Sequence, residues 1–532
     1  MPAEIAPSAP VLQQEKKMNG ANGTSNGVNG HSKPSPAVNK SLLQHTPSDE
    51  VHDLLCVGFG PASMGVAIAL HDTLSLSTLP SNLSKLRESH PKVCFLERQP
   101  SFSWHAGMLL PGAHMQISFI KDMATFRDPR SEFTFLNYLH KNGRLVPFVN
   151  LSTLLPLREE YDDYLRWCAN WFTDVVDYDQ DVIEIVPEKG ADKVKTFVVK
   201  SRNSAGEITT RRAKNVAIGV GGRANIPAPF PQNHPQILHS SCYSMTVQKA
   251  LPDQNKNYRI AIIGNGQSGA EIFNDLHTRY PNAHTKMFIK GPHLRPSDDS
   301  PFVNEIFDPD RVDPFFNQTA EERAVALASD KPTNYGVVRL NLLEHLYSTM
   351  YLQRLRNPNE EEWPHRILSR RTVTGCTVDA SGKIHLQVEN SATKAAEPEK
   401  YEFDAVFVAC GYIRNVHEDL LRDARGLMLG GDVADNKWQI NRNYRVKFQD
   451  GVVSDDAGIY LQGCNEKTHG LSDTLLSVLA NRSGEMVETL FGDKAGDFGA
   501  ANGTAEAAAV ASKLKSEANV AVSNVEAATT TA

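Results

Sequence analysis

The apolar and polar positions of this chain fall into a repeated unit: a short apolar run, a glycine turn and an amphipathic segment. The first run, Leu54-Leu55-Cys56-Val57, breaks into Gly58-Phe59-Gly60-Pro61-Ala62-Ser63 and continues as an Ala/Leu/Ile-bearing stretch from Met64 to Leu70. This predicts a buried strand, a tight turn and a helix start, an order that presents backbone N–H groups to a pyrophosphate. Ser63 stands where the third glycine of that fingerprint belongs, so alone the signal is weak. A complete copy follows from Tyr258 to Glu271, with a β-branched strand, Gly264, Gly266 and Gly269, and a helix through Ile272, Phe273 and Leu276. Two copies call for two dinucleotides.

The strands that follow each copy differ in their last charge. Val93 to Leu96 ends in Glu97, where a Rossmann unit places a carboxylate for ribose hydroxyls. The 34 residues from Ser63 to Glu97 imply an inserted excursion, from His71 to His90, and a solvated strand-end charge is the bland alternative. Thr285 to Ile289 ends in Lys290, 21 residues after Gly269. A cation there suits a 2′-phosphate, so the second site reads as NADPH rather than NADH, with a merely solvated lysine as the bland alternative.

Alternation from Asp181 to Thr210 predicts a β-meander, followed by a strand from Asn215 to Gly222 whose glycines let the backbone approach a nucleotide or cross between domains. Pro227, Pro229 and Pro231 mark a linker. Val338 to Leu352 has apolar residues at helical spacing, expected to be mostly core. Asp404 to Tyr412 repeats the strand-then-glycine pattern of Val216 to Gly221, as a core strand or as a partner between domains. After a strand from Gly458 to Gly463, Ser472 or Asp473 is expected to cap a long helix whose start could face an anion.

Composition narrows the classes. The 532 residues carry a formal net charge of −7 and are 40% hydrophobic, enough for two or three domains. No basic block or Arg/aromatic stripe is present, so no nucleic-acid partner is expected. No run of about eighteen apolar residues exists to span a membrane. The start lacks a secretory pattern, which makes the cytoplasm the expected location. The seven cysteines are scattered without C-x-x-C or metal-ligand spacing, so neither a metal site nor a redox dithiol is expected. Residues 1–50 and 494–532 are low in complexity and read as disordered tails.

Residues 101–135 interleave aromatic and polar groups without a clean period, as a cavity lining does. Gln116 and Lys121 are the polar residues in its most apolar part. From the residues alone, a satisfied buried amide and a snorkelling lysine are the preferred accounts of them.

Taken jointly, several motifs change that balance: Val57 to Ser63, Met115-Gln116-Ile117-Ser118-Phe119, Lys121-Asp122, Gly264-Asn265-Gly266-Gln267-Ser268, Asp298 to Glu305, Asn334-Tyr335-Gly336 and His469-Gly470 to Ser477. From about His52 to about Leu490 the chain resembles the L-ornithine N(5)-monooxygenases of siderophore biosynthesis, within the lysine/ornithine N-monooxygenase family. The resemblance implies an α/β fold with two Rossmann-like dinucleotide-binding domains and a small, mainly helical substrate region. The expected FAD domain covers 51–245 and 405–493, and the expected NADPH domain covers 246–404, including a substrate segment at 293–350. FAD is expected against Gly58, Gly60, Glu97, Arg98, Gln99, Trp104, His105, Gln116, Val182, Thr474, Leu475 and Leu476. NADPH is expected against Gly264, Asn265, Gly266, Gln267, Ser268, Lys290, Asn334, Tyr335 and Gly336.

By the same resemblance, L-ornithine is expected against Lys121, Asn304, Glu305, Ile306, Phe307 and Ser477, with Gln116, Lys121 and Asn304 closest to the chemistry. The implied reaction is NADPH- and O2-dependent hydroxylation of the δ-amine through a C(4a)-hydroperoxyflavin, in an enzyme expected to be a homo-oligomer. Two departures stand out: Lys290 replaces the arginine of many relatives, and Ala106 breaks a Trp-His-Pro-Gly turn. An L-lysine N(6)-monooxygenase or another amine oxygenase on this scaffold is the near alternative. A non-catalytic protein that keeps the flavin fold is the remote one.

Overall fold

The computed structural model describes residues 40–492 apart from 85, 87–89, 189, 191, 394–396, 432 and 434–436. The expected tails at 1–39 and 494–532 lie outside the described residues. Residues 40–50, expected to belong to the first tail, pack on the folded part. Leu43 is buried in the core, the Ser41 backbone N–H donates to the Trp171 carbonyl at 3.0 Å, and His45 bridges Val93.

The first apolar run forms β1 (Val51–Val57), whose last four residues are buried, as befits a strand covered on both faces. It pairs in parallel with β2 (Val93–Leu96) and with the eleven-residue β6 (Ile208–Ile218). β3 (Val176–Asp177) extends the sheet beyond β2, and β17 (Gly458–Leu461) lies parallel to the second half of β6. The predicted meander is β4 (Asp181–Pro187) and β5 (Phe197–Arg202), antiparallel to each other, with β5 also antiparallel to the first half of β6. Helix α1 (Pro61–Ser75) is buried from Ser63 to Asp72, in keeping with its Ala- and Ile-rich sequence. Helix α2 (Arg158–Ala169) turns Tyr161, Tyr164, Leu165 and Cys168 into the same core.

The second sheet is parallel, in the order β11 (His365–Ser369), β10 (His284–Ile289), β9 (Arg259–Ile263), β15 (Ala405–Val408) and β8 (Ile237–His239). Helix α3 (Gln267–Arg279) follows its glycine turn. β12 (Arg371–Val378), β13 (Ile384–Asn390) and β14 (Glu399–Phe403) form an antiparallel sheet of their own. β7 (Arg223–Ala224) and β16 (Tyr412–Ile413) pair with each other, just past the glycine-ended β6 and β15.

This pairing corrects the expected boundaries. β8 lies before residue 245 and β15 after residue 404, yet both belong to the second sheet. Their hydrogen bonds are to β9 and to each other, so the chain changes sheets near the β7/β16 pair rather than at 245 and 405.

Two helical expectations also change. Helix α4 (Ala320–Asn334) precedes α5 (Leu340–Arg356), and of the α5 residues only Leu346 is fully buried. Leu340, Tyr347, Tyr351 and Leu355 are exposed, because α5 contacts the second core through one side only. Helix α6 (Leu479–Phe491) is not capped by Ser472 or Asp473. The chain forms a short turn at Leu471–Thr474, extends at Leu475, turns again at Leu476–Val478, and only then enters α6. Among the described residues no helix is long and apolar enough to cross a membrane.

Candidate active site

Both glycine turns lie at the carboxyl ends of parallel strands, where doubly wound sheets bind ligands. Gly58 has φ of +85°, and a Cβ there would stand 2.9 Å from the Gly219 carbonyl oxygen. Gly264 repeats the device at φ of +133°, with the Ala409 carbonyl oxygen 2.3 Å from where a Cβ would be. Only glycine permits these turns beside the neighbouring strand. Helices α1 and α3 begin at Gly60 and Gly266 with no side-chain cap and no acidic residue in the first turn. Each therefore offers free N–H groups and a positive dipole end, which fits a pyrophosphate.

Around the first turn, Glu97 is buried and accepts from the Phe59 and Gln99 backbone N–H groups at 2.8 and 2.9 Å. Its oxygens keep lone pairs for hydroxyl donors. Trp104 is half-buried, 5.0 Å from the His105 ring and 5.8 Å from Tyr161. His105 adopts φ of +47° and its ring lies 6.2 Å from Tyr412. Val182 sits at a bulge in β4 with its side chain in the core, and Arg98 is exposed.

Gln462, just past β17, was not among the predicted residues. It is 3% exposed and neither amide atom of its side chain has a partner. A buried amide without partners is costly, and it lies at the carboxyl edge of the sheet where FAD fits. Its only sequence signal is its place between the apolar strand and Gly463.

Around the second turn, the Asn265 side chain donates to the Gly336 carbonyl at 3.2 Å, tying the fingerprint to the Asn334-Tyr335-Gly336 stretch. The Tyr335 hydroxyl donates to Glu466. Gln267 is engaged on both sides, with its amide N–H on Glu271 at 2.9 Å and its carbonyl accepting from the Arg339 backbone at 2.9 Å. Ser268 and Asn334 are half-buried, and Lys290 is exposed at the end of β10. A pocket of about 260 Å³ opens among Asn265, His293, Arg295, Lys331, Tyr335 and Gly336. Its cationic lining fits a phosphate-bearing ligand and adds three residues that the strand-end spacing did not point to.

The expected substrate residues converge. Lys121 is half-buried; burial lowers its ammonium pKa while the nearby Asp308 opposes the shift. Asn304 ends the short helical turn Pro301–Asn304 and donates to the Asp299 carbonyl at 2.8 Å. The following turn, Glu305–Phe307, packs against Leu471–Thr474. Glu305 is exposed, Ile306 and Phe307 are half-buried, and Phe302 projects into solvent. Ser477 is buried with no partner for its hydroxyl. Thr474 donates to Glu466 at 3.3 Å, and Leu475 and Leu476 are half-buried beside it. Gln116 is half-buried on the strap that leads to Lys121.

Two buried carboxylates set this geometry. Asp122 accepts from the Ala124, Thr125 and Phe135 backbone N–H groups and from the Thr125 hydroxyl, at 2.6 to 2.9 Å. Burial raises its pKa and those bonds pull it back. It fixes the chain next to Lys121. Asp473 pairs with Arg482 at 3.1 Å and accepts from the Asn465 backbone at 2.7 Å. It pins the 471–477 turns to α6.

A family model described as L-lysine 6-monooxygenase/L-ornithine 5-monooxygenase matches residues 50–414. The chain belongs to this family. An L-ornithine N(5)-monooxygenase of Cochliobolus heterostrophus is 55% identical over 474 residues, which cover 86% of this chain and 90% of that one. Among solved structures, the ornithine hydroxylase of Pseudomonas aeruginosa superposes with a TM-score of 0.74 at 35% identity, covering 83% of this chain and 99% of that one. An ornithine N-hydroxylase of Kutzneria sp. 744, solved with reduced FAD, NADP+ and L-ornithine, superposes with a TM-score of 0.73 at 34% identity over the same shares. Within this lysine/ornithine monooxygenase family, the two glycine turns and the Lys121 cluster occupy one continuous fold.

Proposed function

We propose that this monooxygenase hydroxylates the δ-nitrogen of L-ornithine with FAD, NADPH and O2, giving N(5)-hydroxy-L-ornithine for hydroxamate siderophore assembly. When bound, FAD reduced by NADPH would supply the chemistry that activates O2. The chain's own groups bind, orient and desolvate. Gly58, Gly60, Glu97, Gln99, the Trp104–His105 strap, Gln462 and the 474–476 turn would hold FAD. Gly264 to Ser268 would hold NADPH, and Lys290 with the Arg295/Lys331 pocket would supply cations for its phosphate.

Lys121 and Asn304 hold the amino-acid head group, Lys121 through its charge on the carboxylate. Ser477 closes the side, and Gln116 orients the oxygen-transfer end. A free δ-amine resembles lysine, with a reference pKa of about 10.4, and only the neutral form attacks. A pocket that partly desolvates this amine would favour its neutral form. We place the enzyme in the cytoplasm as a homo-oligomer, and the exposed apolar side of α5 supports the oligomer.

The observation that carries this reading is the convergence of Lys121, the 304–308 turn and the 471–477 turns in a member of this family. It is tested by hydroxylamine formation from L-ornithine, L-lysine and putrescine, which lacks the carboxylate. Ornithine as the preferred substrate with putrescine unused supports it. Equal use of lysine transfers the enzyme to the lysine branch, and use of putrescine removes Lys121 from the head group.

A further inference from the structure

Arg158 is the first residue of α2, and its backbone N–H donates to the Ala113 carbonyl at 2.7 Å. Its helix buries Tyr161, Tyr164, Leu165 and Cys168 in the core beside the first sheet, which anchors Arg158 in that domain. Its guanidinium reaches the helix of the second: Nη1 and Nη2 donate to the two oxygens of Glu271 at 3.0 and 2.9 Å, and Nη1 also donates to the Met108 carbonyl at 2.8 Å. The side chains are 12% and 7% exposed, so water screens this fork little.

Glu271 also accepts from Gln267, one turn nearer the start of α3. Gln267 accepts from the Arg339 backbone, and the Arg339 side chain pairs with Asp299 at 2.8 Å in the segment that leads to Asn304. One chain of polar contacts therefore joins the first domain, the dinucleotide helix and the substrate segment.

We propose that Arg158 is a positioning residue for NADPH: its fork on Glu271 seats the start of α3 on the flavin-side domain and neutralises a carboxylate that would otherwise oppose the coenzyme's phosphates. The physical argument has two parts. Glu271 lies four residues into the helix from Gln267, about 6 Å along the axis, at an end whose partial positive charge attracts the pyrophosphate. An unpaired buried carboxylate there cancels that attraction and repels the ligand. The bidentate fork also fixes direction, which a single ammonium does not, so the start of α3 would keep its orientation when it holds the coenzyme. The proposal rests on reading Gly264 to Ser268 as the NADPH site.

The test is NADP+ binding by calorimetry to the FAD-loaded enzyme, with hydroxylated product counted per NADPH oxidised. Arg158→Met is expected to weaken NADP+ about tenfold or more and to lower the product ratio, with the KM for ornithine within about twofold of wild type. Arg158→Lys, which keeps the charge but loses the fork, is expected to fall between the two. Glu271→Gln on the Arg158→Met background is expected to recover part of the binding, since it removes the unpaired charge. NADP+ affinity and product ratio within twofold of wild type in Arg158→Met, with only a lower melting temperature, overturn the proposal. Should that variant fail to fold, an Arg158→Lys enzyme with unchanged NADP+ binding overturns it equally. Lys290→Ala is measured alongside: if it leaves NADP+ binding unchanged, the site assignment fails, whereas its expected loss beside an intact Arg158→Met sinks the positioning role alone.

Discussion

In the proposed reading, single residues carry the head-group recognition and the cofactor fit. Lys121 contributes a charge in a half-buried setting, and a charge-assisted hydrogen bond of that kind is worth about 1.5–3 kcal/mol. Lys121→Met is therefore expected to raise the KM for ornithine about 10- to 100-fold while NADPH oxidation without substrate stays near wild type. An unchanged KM would show that the ammonium serves Asp308 instead. Gln462 makes a sharper case, because its two unpartnered amide atoms destabilise the empty protein. Gln462→Leu is expected to leave the apoprotein's melting temperature unchanged or higher while FAD is retained less well. Lower apoprotein stability with full FAD retention would make it a core residue only. These two residues also show what was legible at this scale. Lys121 stands out as a charge in an apolar strap, but the residues alone favour a snorkelling lysine, because Asn304 and Asp308 lie 183 and 187 residues further along the chain. Gln462 could not be seen, because an orphan amide is defined by the absence of neighbours in space.

At the scale of elements, the period of the apolar runs announced strands and the glycines announced turns, and both dinucleotide units follow that reading. Pairing was not in the period: β8 and β15 are short and buried, and nothing local says which sheet they join. The start of α6 was misread for a related reason. Asp473 resembles an N-cap by position, but Arg482 and the Asn465 backbone claim its oxygens, and the chain extends again at Leu475.

The second domain carries a stacked pair, His277 of α3 on His365 of β11, with ring centroids 3.7 Å apart. Burial, with His365 and His345 nearby, lowers the His277 pKa to about 2, and burial beside His284 lowers that of His365 to about 4. Unfolded, each takes up its proton near pH 6.5, so the stability they contribute is complete above that value and is lost as pH falls toward 4. The melting temperature is expected to drop more steeply between pH 7 and pH 5 in wild type than in His277→Phe, which keeps a stacked ring. Equal slopes would place the acid sensitivity elsewhere.

For the whole molecule, the two sheets are joined where β7 meets β16, and the candidate site is assembled from segments spread between Gly58 and Ser477. Helix α5 leaves Leu340, Tyr347, Tyr351 and Leu355 exposed opposite the buried Leu346. The spacing of its apolar residues resembles that of a core helix, and the proposed homo-oligomer would bury this stripe. Tyr347→Glu with Tyr351→Glu is expected to reduce the molar mass by light scattering; an unchanged mass would move the interface to another surface.

The central claim, ornithine N-hydroxylation by a coupled flavin monooxygenase, is tested most directly by stoichiometry. NADPH consumed, hydroxyornithine formed and hydrogen peroxide released are measured together on the FAD-loaded enzyme. The account predicts close to one hydroxyornithine per NADPH with little peroxide, and a product rate that rises through the slightly alkaline range while flavin reduction stays flat. NADPH consumption that yields only peroxide at every pH would contradict it.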